Sequence, residues 1–143
     1  MIVNGFNIPE NLYYTEQHEW ALIENSNSVK IGVTDYAQKS LHEIVFVETP
    51  KEGRIIKKME AIGTVESVKS VSEVFSPLSG YVRVVNKKLE MSPELINKDP
   101  YGDGWIIVLE PTALKDELSE LLTANQYSNY LTKIVEKNRE PKN

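Results

Sequence analysis

Few side chains in this sequence are equipped for chemistry. There is no cysteine and there are only two histidines, His18 and His42. Disulfides, thiolate nucleophiles and thiolate metal sites are therefore excluded, and an imidazole-based metal site is short of ligands. Serine, histidine and aspartate are all present, but no serine stands in a nucleophile-elbow pattern. GTVES (63–67) lacks the Lys-Ser pair of a phosphate-cradling loop, and YGDGW (101–105) leads into a strand where such a loop needs a helix. Asp99 and Asp103 do not have EF-hand spacing. Glu66 and Glu73 form a candidate carboxylate pair, although carboxylates flanking a surface hairpin ordinarily serve solvation. Lys69 remains, in GTVESVKSVSEVF (63–75), a lone ammonium among small, β-branched and acidic residues. It is either one more solvated lysine or an attachment point. Ser67 and Ser70 are small enough to leave the backbone open to a modifying enzyme. Acylating the amine would remove its charge and lengthen an already flexible stem.

The composition bounds the rest. With 143 residues, 41% hydrophobic and 26% charged, the chain suits one globular domain of ordinary size. A net charge of -5 argues against a general nucleic-acid binder, and Lys57-Lys58 and Lys87-Lys88 are too short to be basic patches. No apolar run approaches the roughly 20 residues that span a bilayer. MIVNGFNIPENLYY has neither the charged and apolar regions of a secretory signal nor the Arg- and Ser-rich character of a transit peptide, so a cytoplasmic protein is expected.

A strand-rich body followed by a helical tail must position Lys69. Residues 18–33 read as a hairpin around Asn25-Ser26-Asn27-Ser28. Thr34 caps a short helix with Asp35 in its first turn. EIVFVET returns to strand, which Pro50 ends. Two short strands flank Lys69 and make it a hairpin tip, though SVKS contains no Gly, Asn or Pro to mark the turn. YVRVVN alternates, with Val82 and Val84 on one face and Tyr81, Arg83 and Val85 on the other. A loop containing Pro93 and DPYGDG precedes a last strand, WIIVLE. Beyond Pro111 the period becomes helical through Leu114, Leu118, Leu121 and Leu122. Thr123 and Gln126 have capping-box spacing, so a second helix starts there, with Tyr127, Tyr130, Leu131 and Ile134 on one face. Both helices are expected to pack on the β body and close a sheet edge, with partner docking as the alternative. The resulting plan is one domain over 1–143: a β core over about 12–110, helices over about 112–137 and a polar tail over 138–143.

At this point the residues resemble a known family. YTEQHEW (14–20), IGVTDYAQKSL (31–41), EIVFVETPKEG (43–53), GTVESVKSVSEVFSPLSG (63–80), VN (85–86) and PELINKDPYGDGW (93–105) stand in the order and spacing of the glycine cleavage H-protein family. The resemblance implies a mainly β fold, a lipoyl-domain-like flattened barrel or sandwich of two antiparallel sheets. A short helix follows the first hairpin, and further helices lie at the C-terminus. It implies lipoic acid joined by an amide to Lys69, the position matching the family's lipoyl-lysine. It also implies a carrier without catalysis of its own, serving three enzymes. P protein, the pyridoxal-phosphate glycine decarboxylase, loads the arm with an aminomethyl group. T protein, the tetrahydrofolate-dependent aminomethyltransferase, unloads it. L protein, dihydrolipoamide dehydrogenase, reoxidises it. A lipoate-attaching enzyme completes the partners; nucleic acid and membrane are not among them, and the carrier is expected to be a monomer. Glu66, Ser67, Ser70, Glu73 and His42 are candidates for recognition or arm contacts. The family's HEW motif makes Trp20 a core residue and His18 a structural one.

Three positions depart from the family pattern. His42 stands where glycine is common, Ser70 where alanine is common, and Arg83 where an acidic residue is common. Alternatives also stay open: an H-type carrier serving lipoyl relay or sulfur oxidation, a biotinyl carrier, or an unmodified structural β-domain. The biotinyl reading normally wants methionines beside the lysine, and Val68 and Ser70 are there instead.

Overall fold

The computed structural model of the chain describes residues 1–139. A small hairpin opens it, β1 (Ile2–Val3) with β2 (Phe6–Asn7). Next come β3 (Tyr13–Tyr14), β4 (Glu19–Asn25), β5 (Ser28–Val33), α1 (Asp35–Leu41), β6 (Ile44–Glu48) and β7 (Ile55–Ile56). The hairpin β8 (Ala61–Ser67) and β9 (Val71–Phe75) carries Lys69 between its arms, and β10 (Gly80–Val85) follows. Two single turns, α2 (Lys88–Met91) and α3 (Leu95–Lys98), lead to β11 (Ile107–Pro111), α4 (Leu114–Leu118) and α5 (Ala124–Arg139). Residues 140–143 of the expected polar tail lie outside the described residues. Asn138 and Arg139 belong to α5, two residues past the expected end of the helix.

Two antiparallel sheets form the body. One has six strands in the order β3-β4-β5-β11-β10-β7, and the other has three in the order β6-β8-β9. They remain separate sheets, so the expected flattened barrel takes the form of an open sandwich. Its core lies between the sheets: Ala21, Val29, Ile31, Leu109 and Val82 from the larger meet Ile44, Ile62, Val65 and Val74 from the smaller. Strand alternation gives β4 a second role. Ala21 faces that core, while Trp20 faces the opposite way, into a cluster with Ile8, Leu12, Tyr14, Tyr127 and Leu131 under α5.

Local chemistry explains the elements. Thr34 Oγ1 accepts from the Ala37 N–H at 3.2 Å, the N-cap that starts α1. Thr123 and Gln126 make the reciprocal capping box, with the Thr123 N–H donating to Gln126 Oε1 at 2.9 Å and the Gln126 N–H to Thr123 Oγ1 at 3.3 Å. The tail closes an edge by a direct bridge: Tyr14 and Leu122 exchange backbone hydrogen bonds, each 2.8 Å, along the outermost strand β3.

Two local readings are corrected and a third is refined. The alternation of β10 breaks at a bulge, where Arg83 is the extra residue between the pairs Val82–Leu109 and Val84–Val108. Val84 is thereby turned outward and Val85 inward, the opposite of simple alternation. The stretch between Asn86 and Trp105 is not all loop, because α2 and α3 interrupt it around Pro93. In α5 the buried line is Ala124, Tyr127, Ser128, Leu131 and Val135, leaving Tyr130 and Ile134 half-buried at its margin.

Candidate functional site

One serine builds the tip of the β8–β9 hairpin. Ser67 ends β8 and is buried. Its Oγ accepts from the N–H groups of Lys69 and Ser70, both at 3.1 Å, and donates to the Ser70 carbonyl at 3.2 Å. The Ser67 N–H donates to the same carbonyl at 2.8 Å. A hydroxyl that satisfies two successive backbone donors does the work a glycine or asparagine does in other tight turns, which is why neither is needed here. Lys69 stands at the apex, exposed, and none of the ion pairs among the described residues includes it. Such an amine is free to be acylated. Ser67→Ala is expected to cost about 1–2 kcal/mol, since it orphans backbone donors at a buried position. Urea denaturation reads the loss, and faster amide exchange at Lys69 and Ser70 localises it.

The neighbours of the tip come from α1 and β6. The Val68 N–H donates to the Glu43 carbonyl at 3.1 Å, so the segment entering β6 runs beside the turn. His42 precedes it, exposed, with φ 68 and ψ -150 at the C-terminus of α1. That conformation belongs almost wholly to glycine, so a histidine here is held under backbone strain. Asn97 of α3 holds the junction. Its Nδ2 donates to the His42 carbonyl at 2.8 Å and to Gln38 Oε1 at 3.0 Å, and its Oδ1 accepts the Ile44 N–H at 2.9 Å. We expect His42→Gly to stabilise the fold by about 1 kcal/mol, through relief of positive-φ strain partly offset by glycine's entropy. A raised urea midpoint with an unchanged slope is the readout.

Glu66 and Glu73 are both exposed on the outer face of the three-stranded sheet. Glu66 sits opposite Val71 next to the tip, whereas Glu73 sits opposite Thr64, further along the strands. Lys69, Ser67 and Ser70 thus share the turn, with Glu66 and His42 beside it and Glu73 more remote. Arg83 lies on the other sheet, 3.9 Å from Glu110.

A buried carboxylate fixes the far end of β9. Glu19 is 1% exposed; one oxygen accepts from Thr15 Oγ1 at 2.5 Å and the other from the Phe75 N–H at 3.2 Å. It therefore spans from the larger sheet to the hairpin strand. Burial pushes its pKa up to about 7, because a poorly solvated site penalises the charged form. His18 moves the other way. Burial lowers it to about 4, with Nδ1 2.8 Å from the Tyr127 hydroxyl. Their linkages have opposite signs. Glu19, raised in the folded state, contributes stability that is full below about pH 4.5 and lost as pH rises to about 7. His18, depressed, contributes stability that is full above about pH 6.5 and lost as pH falls to about 4. Between pH 4.5 and 6.5 the two slopes oppose each other. Glu19→Gln should leave stability rising with pH over that window, as measured by urea denaturation at several pH values.

Comparison with known proteins settles the family. The glycine cleavage H-protein family model matches residues 12–134. The chain belongs to the glycine cleavage H-protein family. It is 48% identical over 132 residues to the probable glycine cleavage system H protein of Pyrococcus abyssi, covering 92% of this chain and 98% of that one. Identity to the glycine cleavage system H protein of Thermus thermophilus is also 48%, over 124 residues, 87% of this chain and 95% of that one. A crystal structure of a glycine cleavage system H protein from Mycobacterium marinum superposes with a TM-score of 0.79 at 38% identity, covering 85% of this chain and 97% of that one. Proteins of this family are carrier subunits that bear lipoate on a lysine, and an exposed lysine on a rigid hairpin is the kind of presentation a carrier needs.

Sequence reasoning missed two contributors to the site. Asn97 lay in a stretch read as loop, and no spacing rule singles out one asparagine that ties α1 to β6. Phe46 is half exposed because a bulge shifts the register between Ile44 and Phe46. Strict alternation from the buried Ile44 puts Phe46 inside, and only the bulge turns it out.

Proposed function

We propose that Lys69 is the lipoyl-lysine by which this chain serves glycine cleavage. The observation that carries the proposal is an exposed amine, outside every ion pair among the described residues, at the apex of a hairpin fixed by Ser67. Bound through an amide there, lipoic acid supplies the disulfide that takes up the aminomethyl group of glycine. The chain contributes presentation. Ser67 holds the turn so that the Lys69 stem leaves the body in one direction, while its rotatable bonds let it sweep among partners. Tethering keeps a loaded intermediate at high effective concentration for whichever enzyme has docked.

The partners are P protein, T protein and L protein, with a lipoate-attaching enzyme acting first. Each treats this chain as a substrate, so the chain is a carrier and not an enzyme. Glu66, Ser70 and His42, exposed at or beside the tip, are the residues offered to the attaching enzyme; Glu73 lies further along the strand, and the buried Ser67 acts by holding the turn. We assign the protein to the cytoplasm as a monomeric single domain. The test is glycine–bicarbonate exchange by P protein. Lipoylated chain should support exchange and unlipoylated chain should not; equal exchange from both refutes the proposal.

A further inference from the structure

Building on that carrier reading, we infer that the outer face of the three-stranded sheet is where a partner enzyme docks while it receives the arm. The docking partner presents an apolar recess ringed by lysine and arginine. A row of side chains crosses this face beside the tip: Phe46 is opposite Glu66, and Glu66 is opposite Val71. Phe46 is 53% exposed, Val71 62% and Val68, within the tip itself, 63%. Single exposed apolar residues are ordinary, but an aromatic and two valines grouped beside a modified residue form a patch. In the next row Glu48 and Glu73 lie on either side of Thr64.

Strands β6, β8 and β9 contain no lysine or arginine, and none of these three glutamates takes part in an ion pair among the described residues. Acylation removes the charge of Lys69, which leaves glutamate as the only charged residue type on these three strands and their tip. An enzyme that draws the arm into its active site must cover the tip, and this face is continuous with it. Charge complementarity then selects the partner. Acidic groups at the margin steer encounter with a cationic surface, while a buried aromatic anchor supplies affinity.

The experiment uses full-length, lipoylated chain in glycine–bicarbonate exchange with P protein, reading KM and kcat for the carrier at low and high ionic strength. Phe46→Ser should raise KM about tenfold with kcat little changed, as expected for an interface anchor. E48K/E73K should raise KM at low ionic strength and flatten its salt dependence. Val84→Ser, at an exposed valine on the other sheet, should change neither parameter. Thermal melts confirm that each variant folds. Unchanged KM in Phe46→Ser and E48K/E73K overturns the inference. So does sedimentation showing that Phe46→Ser only dissociates a dimer of this chain. Intact mass separates the two claims: a wild-type chain that never gains a lipoyl group overturns the carrier reading together with this inference, whereas full lipoylation with unchanged KM overturns the inference alone.

Discussion

Lys69→Arg is expected to abolish lipoylation and to reduce glycine–bicarbonate exchange to the level without carrier, while leaving the fold untouched. Arginine keeps the positive charge and much of the stem, so it tests the amine itself. A guanidinium stays protonated and does not form the amide. The side chain is exposed at the apex of the turn, and the hydrogen bonds that define that turn involve the Lys69 backbone N–H and Ser67 Oγ, which the substitution leaves in place. Stability should stay within about 0.5 kcal/mol of wild type, as for other surface changes away from structural features. Exchange activity and a urea melt on the same preparation separate loss of attachment from loss of fold. Activity surviving in Lys69→Arg would move the chemistry to another residue.

Trp20→Ala is expected to be the most destabilising single change discussed, at about 4 kcal/mol. The indole is fully buried and packs across the strand pair over Gly32. A Cβ added at Gly32 would lie 2.7 Å from the ring, so the glycine is there to admit the tryptophan. The indole N–H also donates to the Pro100 carbonyl at 3.0 Å, tying the loop before β11 to β4. Removing the ring empties a large site beside Tyr14 and Tyr127 and orphans that carbonyl. Since small domains are stable by only about 5–15 kcal/mol, much of the reserve is spent. A double-mutant cycle sharpens the test: Gly32→Ala should be costly in the wild type and well tolerated alongside Trp20→Ala. Additive costs would mean that the two residues do not share the space described.

The sequence signals that translated well into structure are those with a local physical cause. Thr34 and the Thr123–Gln126 pair act through hydrogen bonds within a single helical turn, and both form as their spacing implies. The 18–33 hairpin has a polar tip and apolar arms, and it pairs from Glu19–Val33 to Asn25–Ser28. Bulges have no such marker. Those at Arg83 and between Ile44 and Phe46 each insert one extra residue and reverse the faces of the residues beyond it. The turn at Lys69 was hidden for another reason. Its determinant is a serine hydroxyl already inside the strand, not a turn residue at the apex. Nothing in the letters HEW sets Glu19 apart from any other carboxylate. Only tertiary packing shows that it is buried and reaches across to the Phe75 N–H. Composition and period marked Lys69 as accessible but not as special; the motifs surrounding it carried that step.

The central claim is that this chain is modified at Lys69. Intact mass of the wild-type chain from a lipoate-competent host, followed by fragmentation of the peptide spanning residues 63–75, tests it most directly. The account predicts a single lipoyl-sized increment that fragmentation assigns to Lys69. A chain with no increment, or with the increment on any other lysine, would contradict it.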